Sequence, residues 1–92
     1  MKVRVLKHSK NEMKIEIEGE GHSFGSALQS ALLEDRNVEF AGYNVPHPLF
    51  SKSVVYVRTK GGERAETALK KAAKRLEKRM NELQKLFEAS LK

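Results

Sequence analysis

Cysteine is absent from the 92-residue sequence, which excludes disulfides and thiolate metal sites as reinforcement. Proline is scarce, occurring only on either side of His47. Long apolar runs are missing, and none approaches the ~20 residues of a membrane-spanning helix. The opening Met1-Lys2-Val3-Arg4 alternates charged and apolar residues, without the apolar stretch of a signal peptide. These absences place the expected chain in the cytoplasm, as one domain covering residues 1–92. A chain of this size buries only about 60–65% of its unfolded surface, so its own core is modest. With no disulfide or zinc to help, oligomerisation is the obvious supplement.

Charge is plentiful but uneven. Apolar residues make up 39% and charged residues 33%, with a net charge of +6. Residues 1–46 hold 6 Lys/Arg against 7 Asp/Glu, whereas residues 47–92 hold 12 against 5. The whole positive excess lies in the second half, most of it in one predicted helix.

Alternation predicts a short strand at Val3 and Val5 with one wet face, and a second at Met13, Ile15 and Ile17, joined through the polar turn Ser9-Lys10-Asn11-Glu12. After Gly19-Glu20-Gly21, Ser23 is an expected N-cap. Phe24, Ala27, Leu28, Ala31 and Leu32 then follow at helical spacing, in a helix with few charges that must bury much of its surface. Val38, Phe40 and Tyr43 predict a third strand interrupted by Gly42, and Val54 to Val57 a fourth that ends at Gly61-Gly62. Pro46-His47-Pro48 reads as loop or edge, because proline donates no ladder hydrogen bond. From Glu63 to about Leu91 no Gly or Pro breaks a helix. The fold class is therefore α+β, in the order β-β-α-β-β-α: a four-stranded sheet with two helices, the last one long.

That last helix bears most directly on function. Leu69, Ala73, Leu76, Met80, Leu83 and Phe87 are spaced 4, 3, 4, 3, 4, the seam of a helix lying along another helix. Lys70, Lys71, Lys74, Arg75, Lys78 and Lys85 fall on the opposite arc. Twenty-nine residues span roughly 43 Å, against a diameter of about 30 Å for a compact domain of this length. The far end, with Leu83, Leu86 and Phe87, therefore overhangs and calls for a partner. Fraying or folding back over the sheet is the alternative.

Other chemistry finds little footing. Gly19-x-Gly21-x-x-x-Gly25 has the wrong spacing for a dinucleotide loop, and turn and helix roles explain its glycines better. His8, His22 and His47 have no metal-ligand spacing. The adjacent His22-Ser23 lacks a third group to orient a base and a nucleophile. Glu16 and Glu18 sit on the wet face of a strand. No catalytic, cofactor-binding or metal-binding residue is assigned. The run from Lys70 to Arg79 sets six cations against one acid, an arrangement that attracts phosphate. It has no interleaved aromatics for base stacking. A solvated helix back, contact with an acidic neighbouring subunit and nucleic-acid binding all stay open for it.

Three blocks point to a family: Glu18-Gly19-Glu20-x-His22-Ser23-Phe24, then Phe40-Ala41-Gly42-Tyr43-x-x-Pro46-His47-Pro48-Leu49, then Val57-Arg58-Thr59. Together they closely resemble the subunit L family of archaeal RNA polymerases, small alpha-like subunits related to eukaryotic counterparts and more distantly to the bacterial alpha N-terminal domain. The resemblance runs from the first strand to the terminal helix. It implies an antiparallel sheet and a non-catalytic role in assembling DNA-directed RNA polymerase. The implied partner is the larger, D-type alpha-like subunit of that polymerase, followed by the large catalytic and small zinc-bearing subunits. The catalytic metal and nucleic-acid channel belong to the large subunits, so no cofactor and no direct nucleic-acid contact are implied here. Carried over by position, the interface helices are 23–33 and 67–91. Phe24, Leu28, Leu32, Leu69, Leu76, Met80, Leu83 and Phe87 are the residues expected to be shared between core and interface. Two positions depart from the family's pattern: Gly21, where an acidic residue or Asn is usual, and Ser26, where Asn is frequent. The assembly reading expects an isolated chain that self-associates or is poorly stable. An independent nucleic-acid-binding protein would instead be a stable, salt-sensitive DNA binder.

Overall fold

The computed structural model describes residues 2–19, 22–45 and 52–91. Alternating apolar residues build four strands, β1 (Lys2–His8), β2 (Glu12–Glu18), β3 (Val38–Asn44) and β4 (Lys52–Thr59), and two helices, α1 (His22–Leu33) and α2 (Ala65–Ser90). All neighbouring strands are antiparallel, in the order β1-β2-β4-β3. The β-β-α-β-β-α expectation holds.

Period-2 alternation sorts the central strands cleanly. Met13, Ile15 and Ile17 of β2 and Ser53, Val55, Val57 and Thr59 of β4 are buried on the face that carries the helices. Leu28, Ala31 and Leu32 of α1 and Ala65, Ala68 and Ala72 of α2 close the core from above. Gly25 allows α1 to sit low on the sheet. A Cβ there would lie 2.9 Å from Cδ2 of Tyr43 and 3.5 Å from Cβ of Ser53. Gly19 adopts φ 94° just after β2, a conformation that favours glycine. Packing and turn geometry thus account for both glycines of the dinucleotide-like pattern that fall among the described residues.

Three local expectations change. Helix α1 begins at His22, so Ser23 lies inside its first turn rather than at the N-cap. The side chains of His22 and Ser23, together with Gly21 and the Pro46-His47-Pro48 segment, fall outside the described residues. Gly42 does not interrupt β3: it pairs with Tyr56 in the ladder, and its missing side chain leaves room beside the Phe40 ring. Strand β1 does not have one wet face and one dry one. Val3 pairs with Ile17 and Val5 with Ile15, so both valines are on the helix side, yet they are 57% and 50% exposed. The reason is position. Because β4 inserts beside β2, β1 is left at an edge that the helices do not cover.

Helix α2 is 26 residues long, or roughly 39 Å. The described body measures 48 × 35 × 17 Å, with a radius of gyration of 14.4 Å. That exceeds the ~12 Å of a compact domain this size, as a protruding rod requires.

Candidate interaction surface on the long helix

What aims α2 is a polar joint at its base. No side chain caps its N-terminus; instead the Ala65 N–H donates to the carbonyl of Lys10 in the β1–β2 turn, at 2.8 Å. Asn11 reaches across the same junction, donating to Thr59 Oγ1 at 3.0 Å and to the Glu63 carbonyl at 3.1 Å, which also accepts from Thr59 Oγ1 at 2.7 Å. Asp35, buried at the end of α1, accepts the Asn37 N–H at 2.9 Å. Lys71 of α2 pairs with the Glu63 carboxylate and lies 3.8 Å from Asp35 Oδ2. Arg75 donates to the Ala31 carbonyl at 3.1 Å, which also accepts the Glu34 N–H at 3.3 Å, and Arg79 pairs with Glu34.

Burial pushes the Asp35 carboxyl up. The Asn37 N–H, the neighbouring Glu63 carboxyl, Lys71 and Arg75 outweigh that and hold it below the usual carboxylate range. Sequence reasoning missed this joint, reading Glu63 only as a helix start. Its members are distant along the chain, and no local spacing announces them.

The joint also changes the picture of a basic helix back. Lys71, Arg75 and Arg79 are engaged with α1 and the loop before α2, and Lys70 pairs with Glu66 at 3.2 Å. Among the described residues, Lys74 and Lys78 make no such ion pair. Much of the charge that suggested phosphate binding therefore holds the two helices together.

The expected interface residues separate into three groups. Leu28 and Leu32 are buried in the chain's own core. Phe24, Leu69 and Leu76 are partly buried and pack against it. Met80, Leu83 and Phe87, with Leu86 beside them, are 59–67% exposed. The seam is thus one continuous line that leaves the core at Leu76 and runs into solvent.

Where the seam begins, it borders an apolar groove of about 240 Å³. Its floor and one wall come from Val3, Ile15 and Ile17. Phe24 and Leu28 of α1 and Leu69 and Ala73 of α2 form the rest. Lys70 lies at its edge with its ammonium turned to Glu66. Uncovered Val3 of β1 is the outer wall of this groove.

An α+β domain that covers one sheet face with its own helices, yet extends an apolar seam beyond its body, has the build of a dimerisation domain. Comparison with known proteins agrees. The family described as RNA polymerase Rpb3/Rpb11 dimerisation domain matches residues 12–86, and the chain belongs to that family. It is 39% identical over 87 residues to DNA-directed RNA polymerase subunit Rpo11 of Methanocella arvoryzae, covering 95% of this chain and 94% of that one. It is 43% identical over 76 residues to subunit Rpo11 of Korarchaeum cryptofilum, covering 83% and 78%. Among solved structures it matches RNA polymerase subunit L of Thermoplasma acidophilum with a TM-score of 0.81 and 28% identity, over 97% of this chain and 87% of that one.

Proposed function

We propose that this chain is a non-catalytic, cytoplasmic subunit of an archaeal DNA-directed RNA polymerase, acting as a single dimerisation domain. It pairs through α1 and α2 with the larger, D-type alpha-like subunit, and the pair seeds assembly with the large catalytic and small zinc-bearing subunits. The observation that carries this reading is the exposed line Met80, Leu83, Phe87 on a helix whose other half is packed. Burying a large apolar side chain contributes about 1.5–3 kcal/mol, so three of them on one seam offer a partner several. Family membership and the Rpo11 relatives support the polymerase setting. Within that setting the small domain gains from its partner the stability its modest core lacks.

The test is co-purification with a tagged larger alpha-like subunit. Wild-type chain is retained, and Leu83→Glu is lost, because it places an unpaired charge in the contact. Undiminished recovery of Leu83→Glu counts against the interface.

A further inference from the structure

We propose that the free edge of β1 takes an added β-strand: an extended protein segment, alternating apolar and acidic residues, from a subunit outside the heterodimer. This contact rests on the polymerase reading above and is one that the helices do not make.

The edge is open. All seven residues of β1 are exposed, whereas each of the other strands buries at least one. Backbone groups on the outer side of an edge strand have no ladder partner and are a template for another chain. On β3, the opposite edge, Gln29 of α1 donates to the Ala41 carbonyl at 3.0 Å. Among the described residues, no side chain makes such a bond to the backbone of β1. Lys2 to Val5 pair with β2 in unbroken register, and the irregularity comes only between Val5 and Lys7. Four residues therefore offer a regular pleat before the strand bends away.

Side chains define the segment that fits. Strand β2 already flanks β1 on one side. There Ile15 and Ile17 meet Val5 and Val3, and Glu16 and Glu18 meet Arg4 and Lys2. A strand on the other side faces the same four side chains, since cross-strand neighbours share a sheet face. The β2 pattern therefore suits it too: apolar residues on the helix side, acidic ones on the open side. Both needs are unmet within the chain. Val3 and Val5 keep half or more of their surface in solvent. Lys2 and Arg4 have no ion pair among the described residues, because Glu16 lies 3.9 Å from Lys52 instead. Charge also excludes a second copy of this chain. The strand carries Lys2, Arg4 and Lys7 and no acid, so two such edges side by side would set like charges opposite each other. In an added strand, main-chain hydrogen bonds supply affinity and the alternating side chains supply choice.

The experiment compares amide hydrogen exchange of the chain in the heterodimer and in polymerase reconstituted around it. On assembly, amides within residues 2–5 that exchange freely in the heterodimer should slow at least tenfold. Unchanged exchange there, in polymerase that contains the chain, overturns the added strand. Slowing already complete in the heterodimer overturns its assignment to a third subunit. The charge match is read separately with the double variant Lys2→Glu, Arg4→Glu, whose fold is checked by circular dichroism. Its recovery with the larger alpha-like subunit should equal that of wild type, while its incorporation into polymerase falls at least tenfold. Wild-type incorporation overturns the acidic match, and a loss already at the heterodimer stage overturns the separation from the helix contact. If wild-type chain is not retained by the larger alpha-like subunit at all, the dimer reading itself falls. If the heterodimer forms and the edge stays open to exchange in polymerase, only the strand proposal does.

Discussion

In its first three turns α2 buries Ala65, Ala68 and Ala72, whereas from Glu77 onward every described residue is exposed. The seam does not change character between those halves; it is a run of large apolar residues with one alanine. What differs is the flanking residue. Alanines at 65, 68 and 72 let the helix backbone come close to α1 and the sheet. In the distal half the corresponding flank carries Arg79, Glu82 and Leu86, with no alanine to let another element approach. A helix of roughly 39 Å also outruns the sheet beneath it. One apolar line thus serves folding at its base and, in the proposed function, association at its tip.

The largest expected effect separates these roles. Met80→Glu should weaken partner binding by about 3–5 kcal/mol, the cost of an uncompensated charge in a contact. The thermal melt of the isolated chain should hardly move, since Met80 touches no core. A matching loss of stability in the free chain would erase the distinction between the halves. Leu32→Ala tests the other side: it should destabilise the isolated fold by about 2–5 kcal/mol, read by denaturant melts. A negligible loss would mean that the proximal core does not hold the helices.

A smaller effect concerns the joint between the halves and the body. Burial raises Asp35, but its hydrogen bonds and nearby cations bring it below the usual carboxylate range. Contact with Lys7, Arg79 and Lys70 likewise lowers Glu12, Glu34 and Glu66 respectively. Groups whose folded values are lowered add stability that is fully present above the ordinary value, about 4, and is lost as pH falls through the folded value. The melting temperature should therefore be level from about pH 8 to 5 and drop below about pH 4. Asp35→Asn should make that acid limb shallower. An identical acid limb in the variant would remove Asp35 from the joint. The smallest effect belongs to the exposed cations: Lys74→Glu with Lys78→Glu should shift stability by no more than about 0.5 kcal/mol per site and leave pairing intact. If instead the wild-type chain alone bound DNA tightly and this reversal abolished it, the basic arc would have a use of its own.

Much of this was legible from residue order. Met13, Ile15 and Ile17 announced a strand with one buried face, and the run from Glu63 to Leu91 announced a helix too long for its body. Less was legible wherever distant segments meet. Val3 and Val5 have the alternation of a half-buried strand, yet they stand uncovered because β1 is an edge. Asp35, Glu63 and Lys71 form one cluster from three elements, and each alone looks like surface charge. Leu28 and Leu83 have similar spacing on their helices, but one is core and the other is open.

The sequence by itself determined the period of each element, the length of α2 and the line of its seam, because these depend on neighbours within a few residues. Only the tertiary structure decided strand order, the joint that aims α2, and the point at Leu76 where the seam passes from core to solvent. Those depend on which elements come together in space, which no pattern within a few residues fixes.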